Sequence, residues 1–337
     1  MQLRIFLLLF FAGSLFSTGA FAQIKHNINP SYDAELSNYT YPFPVKFMPL
    51  QQENQHLKMA YMDVAPAGTN SLPHVILLLH GKNFFGDYWK QTIQFLTEKG
   101  YRVIVPDQIG FGKSSKADLH YSFHQLAANT KKLLDTLEIK KVVVVGHSMG
   151  GMLATRFALM YPEATEKLIL ENPIGLEDYR RGVPFQSVDV AYQNELKNSE
   201  NAIRNYHKTY YPTWKPEFDE WVRVPAAQIP HPDFPKVARA SALTYQMIYQ
   251  QPVSYEFPDI KVPTLLIIGQ EDRTIVGKGL IKDPKKLKQM GQYPQLGKKV
   301  AKAIPKASLV ELKGIGHIPH LQAPDQFHEA LLKFLKD

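Results

Sequence analysis

Residues 141–151, Lys-Val-Val-Val-Val-Gly-His-Ser-Met-Gly-Gly, decide how the chain folds. A run of valines this dense predicts a strand buried on both faces, the kind found inside a parallel sheet. It ends at Gly146-His147-Ser148-Met149-Gly150, and a helical pattern (Leu153, Phe157, Ala158, Met160) starts at once. Strand, turn and helix around Gly-x-Ser-x-Gly make a nucleophile elbow. Such a turn holds its middle residue in a strained conformation, and glycine is needed on either side because a Cβ would collide with the neighbouring strand or helix. The geometry puts the Ser148 hydroxyl at the tip and aims the N–H of Met149 at the same small volume.

Working outward, the chain of 337 residues, 45% of them hydrophobic, is long enough to bury a large core as one domain with an insertion. Residues 1–22 read as a signal peptide. Arg4 supplies the positive start, Ile5–Phe11 begins an apolar run, and Ala20-Phe21-Ala22 forms a small-x-small cleavage site. Ser14, Ser17 and Thr18 interrupt that run, which is short for a membrane span. The expectation is a periplasmic or secreted protein cleaved after Ala22, with no membrane span thereafter.

Cysteine is absent, which excludes disulfides, thiolate metal sites and a cysteine nucleophile. The formal charge of +8 loses one unit with Arg4. Lysines at 282, 285, 286, 288, 298 and 299 gather near the C-terminus. No helix-turn-helix, zinc-finger or RNA-recognition pattern accompanies them, so nucleic acid is not an expected partner. The surplus reads as a solvated basic face, and oligomeric state is not legible.

The remaining chain alternates strands and helices. Val45–Leu50 and Leu57–Val64 read as an antiparallel edge pair. Val75–Leu79 runs into His80-Gly81, and Arg102–Pro106 into Asp107-Gln108-Ile109-Gly110-Phe111-Gly112-Lys113-Ser114. A helix near Ser122–Leu137 leads to the elbow strand. Lys167–Leu170, Pro263–Gly269 and Ser308–Leu312 are further strands, and Pro324–Leu335 is a final amphipathic helix. The class is α/β: a mostly parallel sheet of eight strands covered by helices on both faces. The rhythm fails over 175–260, where tryptophans, tyrosines and prolines replace buried runs. That segment reads as a helical cap inserted between a first core part, 23–174, and a second, 261–337. In open α/β sheets an insertion of this kind emerges at the end where ligands bind.

These motifs resemble the α/β-hydrolase superfamily. They are His80-Gly81 after an apolar strand, Asp107-x-x-Gly110-x-Gly112-x-Ser114, the elbow, Gly269-Gln270-Glu271-Asp272, and Gly314-Ile315-Gly316-His317-Ile318-Pro319, in the family's order over roughly residues 45–337. The cap position and the turn Asn172-Pro173-Ile174-Gly175 resemble its capped serine-hydrolase branch of esterases, proline iminopeptidases and carbon–carbon bond hydrolases.

A serine hydroxyl needs a base, the base an orienting acid, and the developing oxyanion donors. Ser148 is the nucleophile expected. Of the twelve histidines, His317 alone follows the last strand directly after a Gly-x-Gly, Gly314-Ile315-Gly316. Asp272, at the end of a strand, is the expected acid. Glu171, ending the preceding core strand, is the alternative that the resemblance allows. Glu271 should face away, His147 should pack beneath the elbow, and His320 is expected either to stand behind the site residues or to lie on the surface. The oxyanion donors are expected to be the N–H of Met149 and, by the resemblance, that of Lys82, with Asn83 as its rival. The long stretch Asp283–Gly297 is expected to form a lid or a partner surface.

No H-E-x-x-H spacing or Gly-rich phosphate loop occurs, so neither metal nor nucleotide cofactor is expected. The reaction expected is acyl transfer from a small-molecule substrate to water, by default from a carboxylic ester. Amide cleavage at an N-terminal residue and carbon–carbon cleavage of a vinylogous diketone need the same triad. An aminopeptidase would want acidic cap residues, for which Glu217, Asp219 and Glu220 are candidates. A binding protein on this scaffold would more often lack a triad member. Aromatic residues of the cap (Tyr179, Phe185, Tyr210, Tyr211, Trp214, Trp221, Tyr245, Tyr249) suit an apolar pocket and a cap core alike.

Overall fold

A computed structural model describes residues 31–68 and 72–336; the proposed signal peptide lies outside them. Eight strands form one sheet: β1 (Val45–Gln52), β2 (Gln55–Val64), β3 (Val75–Leu79), β4 (Arg102–Pro106), β5 (Val142–His147), β6 (Thr165–Glu171), β7 (Thr264–Gly269) and β8 (Ala307–Leu312). Their order is β1-β2-β4-β3-β5-β6-β7-β8. Only β2 runs against the rest, paired antiparallel to β1 and β4; every other pairing is parallel. The eight-stranded, mostly parallel sheet expected from the sequence is therefore present, with the elbow strand β5 in its middle.

Period-2 alternation divides the central strands between two cores. Leu77, Leu79, Val142, Val144, Leu266 and Ile268 face one side. Ile76, Leu78, Val143, Val145, Leu265 and Ile267 face the other. Helices α1 (Lys90–Glu98), α2 (Phe123–Thr136) and α3 (Met149–Met160) connect the first strands. Leu126, Leu133, Leu153 and Phe157 of α2 and α3 cover the first side, and Ile93 and Leu96 of α1 the second. Ser122 caps α2, its hydroxyl accepting from the Gln125 N–H, a contact worth ~1 kcal/mol.

Between β6 and β7 the chain makes α4 (Val188–Leu196), α5 (Glu200–Lys208), α6 (Glu220–Gln228) and α7 (Phe234–Gln250), with no strand among the described residues. Ser187 and Ser199 cap α4 and α5. Next come α8 (Pro284–Gln289), α9 (Tyr293–Ala303), α10 (Pro319–Gln322) and α11 (Pro324–Lys336). Here the lid expectation needs correction. Tyr293 and Val300 of α9 are buried in the first core, so this part of the stretch is the crossover helix between β7 and β8. Its lysines, and those of α8, stand on the exposed outer side. Among the described residues no helix is long and apolar enough to cross a membrane.

Candidate active site

Three parallel strands deliver their loops to one end of the sheet. Ser148 leaves β5 with φ 55° and ψ −119°, a conformation that costs a non-glycine residue ~1–3 kcal/mol. Surrounding contacts leave it no alternative: a Cβ on Gly146 would sit 2.2 Å from the Gly150 carbonyl oxygen, and one on Gly150 2.1 Å from that of Leu79. Met149 opens α3, where first-turn N–H groups have no partner within the helix.

Asp272 follows β7 and His317 follows β8. The His317 Nε2 lies 2.9 Å from the Ser148 hydroxyl oxygen, and its Nδ1 2.7 Å from Asp272 Oδ2. All three side chains are buried. Burial by itself would raise the Asp272 carboxyl. The charge and hydrogen bond of His317, with donors from Asn172 and Thr274, instead hold it below the ordinary value. Asn172 Nδ2 donates to Asp272 Oδ2 at 2.7 Å, and the Thr274 N–H to Oδ1 at 2.8 Å. The Asn172 side-chain oxygen meanwhile accepts the Gly269 N–H at 2.9 Å, tying the acid's own strand in place. This bridging role of Asn172 was not legible in the sequence; its only signal is a polar residue directly after a buried strand.

Glu171, the alternative acid, is not joined to His317. It accepts the His320 N–H at 2.8 Å, and its two oxygens lie 2.9 and 3.0 Å from His320 Nδ1. Burial raises its carboxyl to about 7, against opposing contributions from His147 and the His320 N–H. His320 is therefore no surface residue: it is buried, stacked on Trp89 at 4.0 Å, and its Nε2 has no hydrogen-bond partner among the described residues. His147 packs beneath the elbow as expected, its Nε2 2.9 Å from the His317 carbonyl oxygen and its Nδ1 3.0 Å from the Tyr88 hydroxyl. Burial keeps its imidazole well below the usual histidine range, hence neutral. Glu271 is exposed.

The His80-Gly81-Lys82 loop passes beside Ser148: a Cβ on Gly81 would lie 3.2 Å from the Ser148 Cβ. The Lys82 side chain does enter the site. Its Nζ donates to the Ser241 hydroxyl at 2.7 Å, which donates to Glu195 at 2.8 Å. Burial lowers the Lys82 ammonium, while Glu195 works the other way. Asn83 Nδ2 donates to the Tyr210 hydroxyl at 2.8 Å. Asp107, in the neighbouring glycine loop, accepts the N–H groups of Gly86 and Lys113 and the Tyr41 hydroxyl, a structural role.

Above Ser148 lies a cavity of about 510 Å³ between core and cap, a size typical of small-molecule sites. Its walls include Phe84, Ile174, Tyr206, Tyr210, Trp221 and Tyr245. Of the other cap aromatics, Tyr211 and Phe218 stack on each other, Trp214 packs against both, and Phe185 is exposed. Among the acidic candidates, only Glu220 reaches the cavity; Asp219 is paired with Arg204 and Glu217 is exposed. Among the described residues no group of three histidine or acidic side chains could hold a metal.

Residues 74–324 match the family model described as alpha/beta hydrolase fold. A crystal structure of a "probable hydrolytic enzyme" from Pseudomonas aeruginosa PAO1 superposes with a TM-score of 0.88 at 49% identity, covering 91% of this chain and 99% of that one. The 2-hydroxy-6-oxononadienedioate/2-hydroxy-6-oxononatrienedioate hydrolase of Comamonas testosteroni is 28% identical over 77% of this chain and 87% of its own length. Lipase 1 of Psychrobacter immobilis is 25% identical over 74% and 73%. The protein is a hydrolase of the alpha/beta hydrolase fold family.

Proposed function

We propose that the protein is a serine hydrolase cleaving a carboxylic ester through an acyl-enzyme, with Ser148 as nucleophile, His317 as base and Asp272 as the orienting acid. The observation carrying this reading is the continuous chain from the Ser148 hydroxyl through His317 to Asp272, with contacts of 2.9 and 2.7 Å. As the Ser148 oxygen bonds to the substrate carbonyl carbon, His317 Nε2 takes its proton, and Asp272 stabilises the imidazolium that forms. The N–H groups of Met149 and Lys82 receive the oxyanion. Collapse of the tetrahedral intermediate breaks the bond to the alcohol oxygen, which leaves with the proton from His317. Water, losing a proton to His317, then attacks the acyl carbon, and Ser148 departs as a hydroxyl again. The neutral His147 beneath the elbow adds no positive charge to oppose the imidazolium.

A second reading keeps these residues and assigns a carbon–carbon bond, supported by the similarity to the Comamonas hydrolase. A small molecule held under the cap suits either reaction. Export of the chain, cleaved after Ala22, completes the proposal; fractionation of the producing cell tests it, with a full-length cytoplasmic product as the contrary result.

The functional test is hydrolysis of short-, medium- and long-chain p-nitrophenyl esters by residues 23–337 beside Ser148→Ala. Turnover by the wild type, lost at least ~10⁴-fold in the variant, is the expected result. Equal inertness of two folded proteins counts against the ester reading and directs the test to vinylogous diketones.

A further inference from the structure

Tyr210 belongs to the cap, just past the end of α5, yet three of its groups engage the core at the site. Its carbonyl accepts the His317 N–H at 2.7 Å. The approach depends on Gly316, where a Cβ would lie 2.1 Å from that carbonyl oxygen. Its ring stacks on the His317 imidazole, centroids 4.8 Å apart and planes 27° from parallel. Its hydroxyl accepts from Asn83 Nδ2 at 2.8 Å, and Asn83 directly follows Lys82 in the loop expected to supply an oxyanion donor. The residue is itself fixed: it is buried, its N–H donates to the His207 carbonyl, and Pro212 restricts the chain beyond it.

These contacts join two loop-borne parts of the machinery to one cap residue. Ser148 sits on a strand-to-helix turn and Asp272 is held by Asn172 and Thr274. His317 and the Lys82–Asn83 segment lie on loops, and their positions are the ones that need outside support. We propose that Tyr210 is a positioning residue of the hydrolytic site: through its carbonyl and ring it sets the His317 imidazole, and through its hydroxyl it sets the oxyanion loop. The cap thereby completes the site as well as enclosing it. The inference rests on the Ser148–His317–Asp272 reading. It adds that displacement of the α5 end disturbs base and oxyanion loop together.

The test reads the nucleophile directly, so it does not depend on knowing the natural substrate. It measures the rate of Ser148 modification by a fluorophosphonate, followed by intact mass, beside kcat and KM for a p-nitrophenyl ester and thermal melting. Tyr210→Phe removes only the hydroxyl. It should lower kcat and the modification rate about three- to tenfold, with KM and melting little changed. Asn83→Ala breaks the same contact, whereas Tyr210→Phe also removes the hydroxyl's bond with Tyr206, so the double variant should lose no more than Tyr210→Phe alone. Tyr210→Leu also loses the ring stack and should fall about 10²-fold in both rates, so that phenylalanine is the partial rescue.

Wild-type modification rates in folded Tyr210→Phe and Tyr210→Leu would overturn the proposal. So would a raised KM with unchanged kcat, which would make Tyr210 a wall of the substrate pocket only. In these outcomes the wild type is still modified and Ser148→Ala is not, so the triad reading survives. A wild type as resistant to the reagent as Ser148→Ala removes both.

Discussion

Two acid–histidine pairs lie side by side at the end of the sheet, Asp272–His317 and Glu171–His320. Both are buried, both join Nδ1 to a carboxylate, and their histidines are three residues apart. They differ in what surrounds them. The Asp272 carboxyl is held below its ordinary value by His317, Asn172 and Thr274 and stays ionised. Glu171, despite the His320 N–H, is raised by burial to about 7. His317 Nε2 faces the Ser148 hydroxyl, whereas His320 Nε2 has no partner among the described residues and the ring stacks on Trp89. An imidazole paired with a carboxylate becomes a base for catalysis only when a nucleophile is within reach and the carboxylate is kept charged. The second pair is a packing unit that ties α10 to the end of β6.

Breaking the first pair should cost most. Asp272→Asn leaves the geometry nearly intact but favours the wrong imidazole tautomer, and kcat/KM for a p-nitrophenyl ester should fall by about 10⁴. Glu171→Gln, an equally conservative change in the second pair, should cost less than about tenfold in the same assay. Similar losses from both would erase the distinction.

A smaller effect sharpens it through pH. Native Glu171 keeps its proton until about 7, while the unfolded carboxyl loses it near 4.5. The native state therefore binds more protons across this window, and the stability contributed by Glu171 declines as pH rises through it. Melting temperatures between these limits should fall less steeply with pH in Glu171→Gln than in the wild type. Asp272 has the opposite sign. Its lowered carboxyl contributes stability that is present above its ordinary 3.8 and lost as pH drops below it, so Asp272→Asn should lessen acid destabilisation. Melting curves of both variants over acidic and neutral buffers test the two slopes.

The contrast also shows how far a sequence can be read. The parallel sheet followed from Val142–Val145 and its companion runs, because double-sided burial demands unbroken apolar stretches. Ser148, Asp272 and His317 stand out in the sequence because each follows a strand or sits on the elbow beside the glycines such turns need. The status of His320 and Glu171 was not legible. Nothing in Gly-His-Ile-Pro-His says that the second ring will turn inward onto Trp89, a residue far off in sequence. The cap resisted for the same reason. Tyr210 reads as one aromatic among many, and its grip on His317 comes from where α5 ends over the sheet. The stretch Asp283–Gly297 reads as a lid or a partner surface because the lysines of α8 dominate it, while the apolar side that α9 lays on the core begins only at Tyr293.

The most direct test of the central claim is the pre-steady-state burst of p-nitrophenol from p-nitrophenyl acetate, compared in the wild type, His317→Ala and His320→Gln, each shown folded by thermal melting. A burst of one product per Ser148 is expected in the wild type. The same burst, slowed less than about tenfold, is expected in His320→Gln, and none in His317→Ala. A burst that persists in His317→Ala, or vanishes from folded His320→Gln, would contradict the claim.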